Sequence, residues 1–180
     1  MAGPSDAAAD LVRQVNFFNA SLRIEMISDT LLKGVYLFGD LSAEERGRLA
    51  KIAESMALPA RFQIFRSGEE ATALYLIKEG SVRITTLSPS GERIDVATLG
   101  SGSHFGEMAL IDGAKRSASA ETLEATTIFR FDYGKIQSVL NGSPPIASKF
   151  YRALARFLSN RLRQTTTDMS FAREKNLRHF

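Results

Sequence analysis

Residues 100–120 carry the residue types best suited to chemistry in this 180-residue chain. The stretch reads GSGSHFGEMALIDGAKRSASA: a run of glycines and serines, a short helix-forming segment, and an arginine beside a hydroxyl. A short helix beginning near Gly106 and Glu107 would direct free backbone N–H groups outward, where they suit an anion. Gly106 would let a ligand approach the backbone closely. Arg116 can hold two oxygens of one phosphate, and Ser117 can add a further donor.

The carboxylate of Glu107 would repel such an anion unless it faces a neutral donor such as a sugar hydroxyl. One anion clamp with one carboxylate acceptor therefore indicates a sugar phosphate or a nucleotide. The alternative is that Glu107 and Arg116 form a surface ion pair across a hairpin, an interaction that contributes little to stability. The residue types and their spacing leave both interpretations open.

The composition excludes several other kinds of site. The chain has no cysteine, which excludes disulfides, thiolate metal sites and cysteine nucleophiles. His104 and His179 are too few and too far apart for a histidine metal site. Since no Ser-His-Asp set or pair of carboxylates is present, we expect neither an enzyme nor a cofactor. No apolar run approaches the ~20 residues of a membrane span and no signal peptide is present, so we expect a cytoplasmic protein without a membrane partner.

The charge is unevenly distributed along the chain. Residues 149–180 hold eight Lys or Arg against two Asp or Glu, whereas residues 1–148 hold 15 basic and 18 acidic residues. A basic tail is compatible with nucleic acid or with an acidic partner. Because these charges lie among apolar residues at helical spacing, the pattern favours a solvated helix face, and a nucleic-acid partner is the less favoured interpretation.

The first third of the chain has helical periodicity. Residues 7–33 place apolar side chains at i, i+3 and i+4 spacing, which predicts one or two amphipathic helices with Ser5 or Asp6 as the N-cap. Ser42 and Glu45 form a capping-box pattern. It predicts a helix that continues through Met56 and ends before Pro59.

The middle of the chain changes to short β-branched and aromatic runs separated by glycine-rich turns, the pattern of a sandwich or barrel. The predicted strands are residues 61–66, 74–78, 81–87, 93–99 and 126–131. A short helix over residues 133–140 then ends at Asn141-Gly142, and a long helix begins at Pro144-Pro145. That long helix carries one apolar stripe, formed by Phe150, Leu154, Phe157, Leu158, Leu162 and Met169. The order of helices, β unit and helices predicts an α+β fold.

The stretch Phe105-Gly-Glu-Met-Ala-Leu110 followed by Arg116-Ser-Ala118 resembles the phosphate-binding cassette of the cyclic nucleotide-binding domain family. Upstream, FRSGE from residue 65, LYLI from residue 74 and EGSV from residue 79 resemble the run into the β-roll of that family, and LF at 37–38 with LS at 41–42 resembles its entry helix. The resemblance covers residues 35–168. It implies an eight-stranded antiparallel β-roll of jelly-roll type, flanked by N-terminal helices and a long C-terminal helix.

The resemblance also implies roles for individual residues. Glu107 would accept the ribose 2′-hydroxyl, Arg116 would pair with the cyclic phosphate, and Ser117 would donate beside it. Backbone N–H groups of Gly106 and Ala109 would contact ribose or phosphate. The apolar wall around sugar and base would come from Val82, Ile84, Met108, Leu110 and Ala118.

The choice of base depends on the C-terminal helix. Residues 160–166 resemble a stretch of the bacterial activator in which adjacent hydroxyl residues meet adenine, one of them from a partner subunit. In that register Thr165 and Thr166 cap the base, which favours cAMP over cGMP. The alternative is that Thr165–Thr167 mark a segment of weak helix propensity.

The resulting division has a helical extension over residues 1–34, the β-roll binding unit over residues 35–142, and a C-terminal helix and tail over residues 143–180. The phosphate-binding cassette occupies residues 100–120 of the binding unit. About a dozen residues follow Asp168, too few for a helix-turn-helix. We therefore expect a bacterial cyclic nucleotide receptor whose helices move on binding and which signals in trans through a partner protein. The C-terminal helix would serve as a lid over the base or as a homodimer seam. The alternatives are a nucleic-acid-associated regulator that uses the basic helix and a ligand-free dimerisation or scaffold module.

Overall fold

The computed structural model describes residues 22–23 and 26–177 of the chain. The helices are α1 (Asp29–Gly34), α2 (Ala43–Ala50), α3 (Met108–Asp112), α4 (Tyr133–Asn141) and α5 (Pro144–Leu177). The strands are β1 (Leu22–Arg23), β2 (Ala53–Leu58), β3 (Gln63–Phe65), β4 (Ala73–Glu79), β5 (Val82–Leu87), β6 (Arg93–Leu99), β7 (His104–Phe105), β8 (Ser119–Thr122) and β9 (Thr126–Asp132).

Strands β2 to β9 form two antiparallel sheets that pack into a roll. One sheet has the order β2-β9-β4-β7, with the two-residue β1 added at its β2 edge, and the other has the order β3-β8-β5-β6. Helices lie at both ends of the chain around this roll. The predicted α+β fold, an eight-stranded antiparallel β-roll with flanking helices and a long C-terminal helix, is therefore confirmed.

Strand β4 lies between the two hydrophobic cores of the molecule. Successive side chains of a strand point to opposite faces. Leu74 and Leu76 accordingly pack with the helices, whereas Tyr75 and Ile77 pack inside the roll. Strand β9 pairs with β4, and its side chains also alternate between the two cores. This sheet is therefore packed against other residues on both faces. The amino-acid sequences of the central strands are therefore largely apolar.

The helical layer is fixed to the roll by aromatic contacts and by ion pairs. Phe38 packs against Phe131 of β9 and Phe150 of α5, with ring centroids 5.6 and 6.1 Å apart. Lys149 of α5 forms a 2.7 Å ion pair with Glu45. Two of the C-terminal basic residues, Lys149 and Arg156, thus face acidic side chains of the same chain.

The helix predicted from Ser42 is shorter than expected. The capping box of Ser42 and Glu45 is present, but the helix ends at Ala50, and Ala53–Leu58 forms strand β2. Strand β2 pairs along its whole length with β9, and Met56 and Leu58 are buried inside the roll. The prediction of helix up to Met56 was wrong because pairing with β9 outweighs the local helical spacing.

The prediction of one or two amphipathic helices within residues 7–33 was also wrong in part. Leu22–Arg23 forms β1, which pairs with Met56 and Ser55, and the only helix of this region in the described residues is α1. Residues 1–21, with the proposed N-cap at Ser5 or Asp6, lie outside the described residues. The division into residues 1–34, 35–142 and 143–180 stays a prediction.

Most predicted strands match the observed ones within two residues, but β7 and β8 were not predicted. Both are short and lie in the glycine- and serine-rich stretch around the cassette. Strand β8 is held by β5 on one side and β3 on the other. Its two partners are distant in the sequence, so no local pattern marked it.

The apolar stripe of α5 divides into two parts. Phe150 and Leu154 are fully buried against the chain's own roll, and Phe157 and Leu158 are half-buried. Leu162 and Met169 lie farther along the helix and are more than half exposed. Core packing therefore accounts for the first half of the stripe and leaves the second half open to solvent.

Gly80 offers a test of how tightly the turn between β4 and β5 is packed. Its φ is +91°, and a Cβ there would lie 2.8 Å from the Ala125 carbonyl oxygen and from the Thr126 Cα. Gly91 has a similar φ of +85°, but a Cβ added there would lie in open space, with no neighbouring atom within 4 Å. Gly80→Ala should lower the free energy of unfolding by about 2 to 4 kcal/mol, because strain and a backbone clash add. Gly91→Ala should cost about 1 kcal/mol, from the strain alone. Urea denaturation measures both, and equal losses would contradict the packing described.

Candidate functional site

The candidate site is formed where the cassette folds back against β4 and the start of α4. Strand β7 leads through Gly106 and Glu107 into α3, which ends at Gly113 in the left-handed conformation. The chain then returns to β8 through Arg116 and Ser117. Because α3 has only five residues, its N-terminus contributes a small field, and Arg116 is the main positive charge that the cassette brings to the site.

Arg116 is buried, with 5% of its surface exposed. Its Nη2 donates to the Ala73 carbonyl oxygen at 2.8 Å, and its Nη1 donates to the Gly106 carbonyl oxygen at 3.2 Å and to the Tyr133 hydroxyl at 3.3 Å. The guanidinium lies 4.1 Å from the centre of the Phe65 ring. The side chain is thus held at its terminal nitrogens, and its buried Nε is left without a hydrogen-bond partner among the described residues.

Gly106 is required where the cassette crosses Arg116. Its φ is +78°, and a Cβ at this position would lie 2.6 Å from Nη1 of Arg116 and 3.3 Å from the Ala73 carbonyl oxygen. Any side chain would therefore displace the guanidinium from its acceptors. The glycine allows the carbonyl of Gly106 to serve as one of those acceptors.

Glu107 is the N-cap residue of α3 and is 5% exposed. Burial raises the pKa of its carboxyl, while a backbone hydrogen bond and the positive charges of Arg161 and Arg116 act in the opposite direction. The donors of Arg116 go to other oxygens, and no ion pair joins the two side chains. The alternative of a surface ion pair between Glu107 and Arg116 is therefore wrong.

These residues surround an open cavity of about 230 Å³. One wall is the cassette, another is the sheet that contains β5 and β6, and Arg161 reaches it from α5. The lining residues are Phe65, Ile84, Thr86, Val96, Leu99, Phe105, Gly106, Glu107, Met108, Ala109, Lys115, Arg116, Ser117, Ala118 and Arg161. The cavity therefore combines apolar walls with three cationic side chains and one carboxyl group.

The structure brings eight of the twelve predicted site residues to this cavity: Ile84, Gly106, Glu107, Met108, Ala109, Arg116, Ser117 and Ala118. Val82 and Leu110 instead lie in the hydrophobic cores, one inside the roll and the other on the helical side. Thr165 and Thr166 are exposed on α5, and their hydroxyls donate to the carbonyls of Arg161 and Leu162. In this single chain they do not line the cavity. Their contact with a base stays a prediction.

Seven residues that line the cavity were not predicted as site residues: Phe65, Thr86, Val96, Leu99, Phe105, Lys115 and Arg161. Tyr133, which contacts Arg116, was not predicted either. Arg161 belongs to the basic C-terminal segment and was counted there as part of a solvated helix face, yet it lines the cavity. Tyr133 begins α4 and reaches Arg116 with its hydroxyl. Only the packing of α4 and α5 against the roll places them there, so no local motif could have identified either residue.

Comparison with known proteins agrees with this geometry. A model of the cyclic nucleotide-binding domain family matches residues 56–143. The cyclic AMP receptor protein of Thermus thermophilus is 34% identical over 151 residues, which cover 81% of this chain and 67% of the relative. The cAMP-activated global transcriptional regulator CRP of Haemophilus influenzae is 36% identical over 109 residues, which cover 60% of this chain and 49% of the relative. A solved cyclic nucleotide-binding domain from Methylobacillus flagellatus aligns with a TM-score of 0.73 at 26% identity, over 83% of this chain and 88% of that one.

This chain belongs to the cyclic nucleotide-binding domain family, and the resemblance seen in the cassette is confirmed. These two relatives are named as a transcriptional regulator and a receptor. The chain spans about half the length of the Haemophilus relative, 49%. None of the helices in the described residues combines the length and the apolar character needed to cross a membrane. Within the same residues, no three His, Asp or Glu side chains come together as a metal site.

His104 lies beside the cassette in β7 and contacts α5. Its ring centroid is 4.3 Å from that of Phe157, and its Nε2 has no hydrogen-bond partner in the described part of the chain. Burial, reinforced by the positive charge of Arg161, lowers the pKa of His104 from 6.5 to about 4. The folded state therefore holds this imidazole neutral against Phe157.

The pKa of His104 predicts a loss of stability in acid. Between pH 6.5 and about 4 the unfolded chain binds a proton at this histidine that the folded chain does not bind, so stability falls as the pH falls through this range. At 1.36 kcal/mol per pKa unit, the full loss is about 3 kcal/mol. The free energy of unfolding should be measured from pH 7.5 to pH 4 for the wild type and His104→Gln. The difference between the two curves should change by this amount, whereas parallel curves would contradict the prediction.

Proposed function

We propose that this chain is a cytoplasmic receptor for a purine 3′,5′-cyclic mononucleotide, with cAMP preferred to cGMP. The observation that carries the proposal is the buried guanidinium of Arg116, which lines the cavity without a carboxylate partner among the described residues. A buried charge without a counter-charge is costly. A singly charged cyclic phosphate would supply that counter-charge and an acceptor for the unused Nε. The name of the Thermus relative, cyclic AMP receptor protein, supports the same ligand.

The sugar and base have places in the same cavity. Glu107 is buried beside Arg116, and its carboxylate would accept a hydrogen bond from the ribose 2′-hydroxyl. The apolar wall formed by Ile84, Val96 and Met108 is suited to the base, and Arg161 approaches it from α5. Because α5 lines the cavity, a bound nucleotide would contact both the roll and the helix. If these contacts differ between two arrangements of the helices, the ligand favours the arrangement that it binds more tightly.

The output of the receptor would pass through α5. Beyond the buried residues near its beginning, the helix exposes Leu162, Met169 and Phe171 to solvent. Exposed large apolar side chains on one element are typical of a contact surface. We infer that this part of α5 forms a homodimer seam or contacts a partner protein, so that nucleotide binding is reported in trans. A second chain at this surface is also what would bring Thr165 and Thr166 to a base.

The main test is the substitution of Arg116. Arg116→Ala should weaken binding of cAMP about thirtyfold or more, since loss of a buried charged contact costs roughly 2–5 kcal/mol. Arg116→Lys keeps the charge but loses the planar donor set, and it should retain a measurable part of the affinity. Arg48→Ala, which removes an exposed arginine of α2, is the control. Isothermal titration calorimetry with cAMP and cGMP gives the affinities, and circular dichroism confirms that each variant is folded. Equal affinity of folded Arg116→Ala and wild type would refute the proposal.

A second test concerns the role of Glu107. Wild type should bind cAMP more tightly than 2′-deoxy-cAMP, and Glu107→Gln should lose most of this difference, because a neutral amide replaces a charged acceptor. Burial raises the pKa of Glu107, and the proposed acceptor is its carboxylate form. The affinity for cAMP should therefore have its full value at pH values above the raised pKa of Glu107. It should decline as the pH falls through that pKa. This decline should be absent in Glu107→Gln and present in Glu44→Gln, where an exposed glutamate of α2 is changed. Discrimination that survives in Glu107→Gln would assign the 2′-hydroxyl to another residue.

A further inference from the structure

Tyr133 joins the cassette to the start of α4. It is the first residue of this helix and is 9% exposed. Its hydroxyl donates to the carbonyl oxygen of Gly106 and accepts a hydrogen bond from Nη1 of Arg116 at 3.3 Å. One oxygen atom on the helix therefore contacts both the backbone of the cassette and the guanidinium. None of the cyclic nucleotide contacts proposed above involves the Tyr133 hydroxyl.

The hydrogen bonds of Arg116 leave one of its nitrogens without a partner in the protein. Both terminal nitrogens are engaged with atoms of the protein: Nη2 with the Ala73 carbonyl, and Nη1 with the Gly106 carbonyl and the Tyr133 hydroxyl. Within the described residues Nε has no acceptor. Since a guanidinium is planar and rigid, fixing its two terminal nitrogens also fixes the direction of the Nε–H.

The backbone of Tyr133 is held as firmly as its hydroxyl. Its N–H donates to the Thr72 carbonyl at 2.9 Å, and Asp132 caps the helix by accepting from the Lys135 N–H. From there α4 continues into the core on the helical side, where Ile136 packs with Phe150 of α5. A shift of Arg116 toward an anion would therefore pull on the first residue of α4.

We propose that Tyr133 is a positioning residue of the nucleotide site. Its hydroxyl holds Nη1 of Arg116 and the carbonyl of Gly106 in one arrangement, so that the Nε–H of Arg116 stays free for the phosphate. The same hydroxyl fastens α4 to the cassette and carries the occupancy of the site toward α5. This inference rests on the function proposed above, because it takes the anion at Arg116 to be the cyclic phosphate.

Tyr133→Phe tests the inference by removing one oxygen and keeping the ring beside Arg116. Affinity for cAMP should fall about tenfold, because a charged group loses one of its buried hydrogen bonds while its other acceptors remain. Tyr151→Phe is the matched control, since Tyr151 is 45% exposed on α5 and does not line the cavity. Its affinity should equal that of the wild type. In the Arg116→Lys background, Tyr133→Phe should cause much less additional loss, since the two residues act as a unit.

A spectroscopic measurement separates positioning from a general effect on stability. The Nε–H resonance of Arg116 can be observed by ¹H–¹⁵N NMR and assigned through its loss in Arg116→Lys. In the free wild type it should be a single sharp signal that shifts when cAMP is added. In Tyr133→Phe it should be broadened or displaced before any ligand is added. A purely structural tyrosine would lower the melting temperature and leave this signal unchanged.

The two proposals fail in different ways. Wild-type affinity and an unchanged Nε–H signal in Tyr133→Phe, together with lost binding in Arg116→Ala, would overturn the role of Tyr133 and leave the nucleotide site intact. Unchanged affinity in folded Arg116→Ala would overturn the nucleotide site, and the inference about Tyr133 with it. Weaker binding in Tyr133→Phe together with an altered Nε–H signal supports both.

Discussion

The burial of one unpaired guanidinium is the constraint on which the rest of the site depends. Arg116 is placed between the cassette and the wall of the roll, where its charge is shielded from water but not neutralised by a carboxylate of the described chain. Backbone carbonyls of Ala73 and Gly106, the hydroxyl of Tyr133 and the face of Phe65 hold it there. These neutral groups can orient a cation without cancelling its charge. An arrangement of this kind is suited to an anion, which is what the proposed function requires.

Several features of the fold follow from this requirement. The cassette must cross the guanidinium with no side chain in between, and Gly106 meets that need. The acceptor at Ala73 lies at the start of β4, a strand fixed between the two hydrophobic cores, so it is a rigid support. The acceptor at Tyr133 lies on α4, which is part of the helical layer. Arg116 therefore contacts both the sheet between the two hydrophobic cores and the helical layer.

Helix α5 connects the site with the surface. Its beginning is buried in the core on the helical side, Arg161 lines the nucleotide cavity, and the apolar side chains beyond it are exposed. His104 and Phe157 make a further contact between the strand before the cassette and this helix. Successive parts of α5 thus pack in the core, line the cavity and lie exposed at the surface. Under the proposed function, a change at the cavity wall would reach the exposed end through this one helix.

Residues with local signals were recognisable without the fold. They are the capping box of Ser42, the turns around the central strands, and the cassette with Glu107 and Arg116. Their chemistry is a property of short segments, because caps, turns and anion donors depend on neighbours in the chain. The tertiary structure alone makes Ala53–Leu58 a strand and buries Arg116 and Glu107 without an ion pair between them. It also brings Tyr133 and Arg161 to the site. Each of these depends on contacts between segments far apart in sequence. Burial against a distant partner outweighs local propensity, and no periodicity reports it.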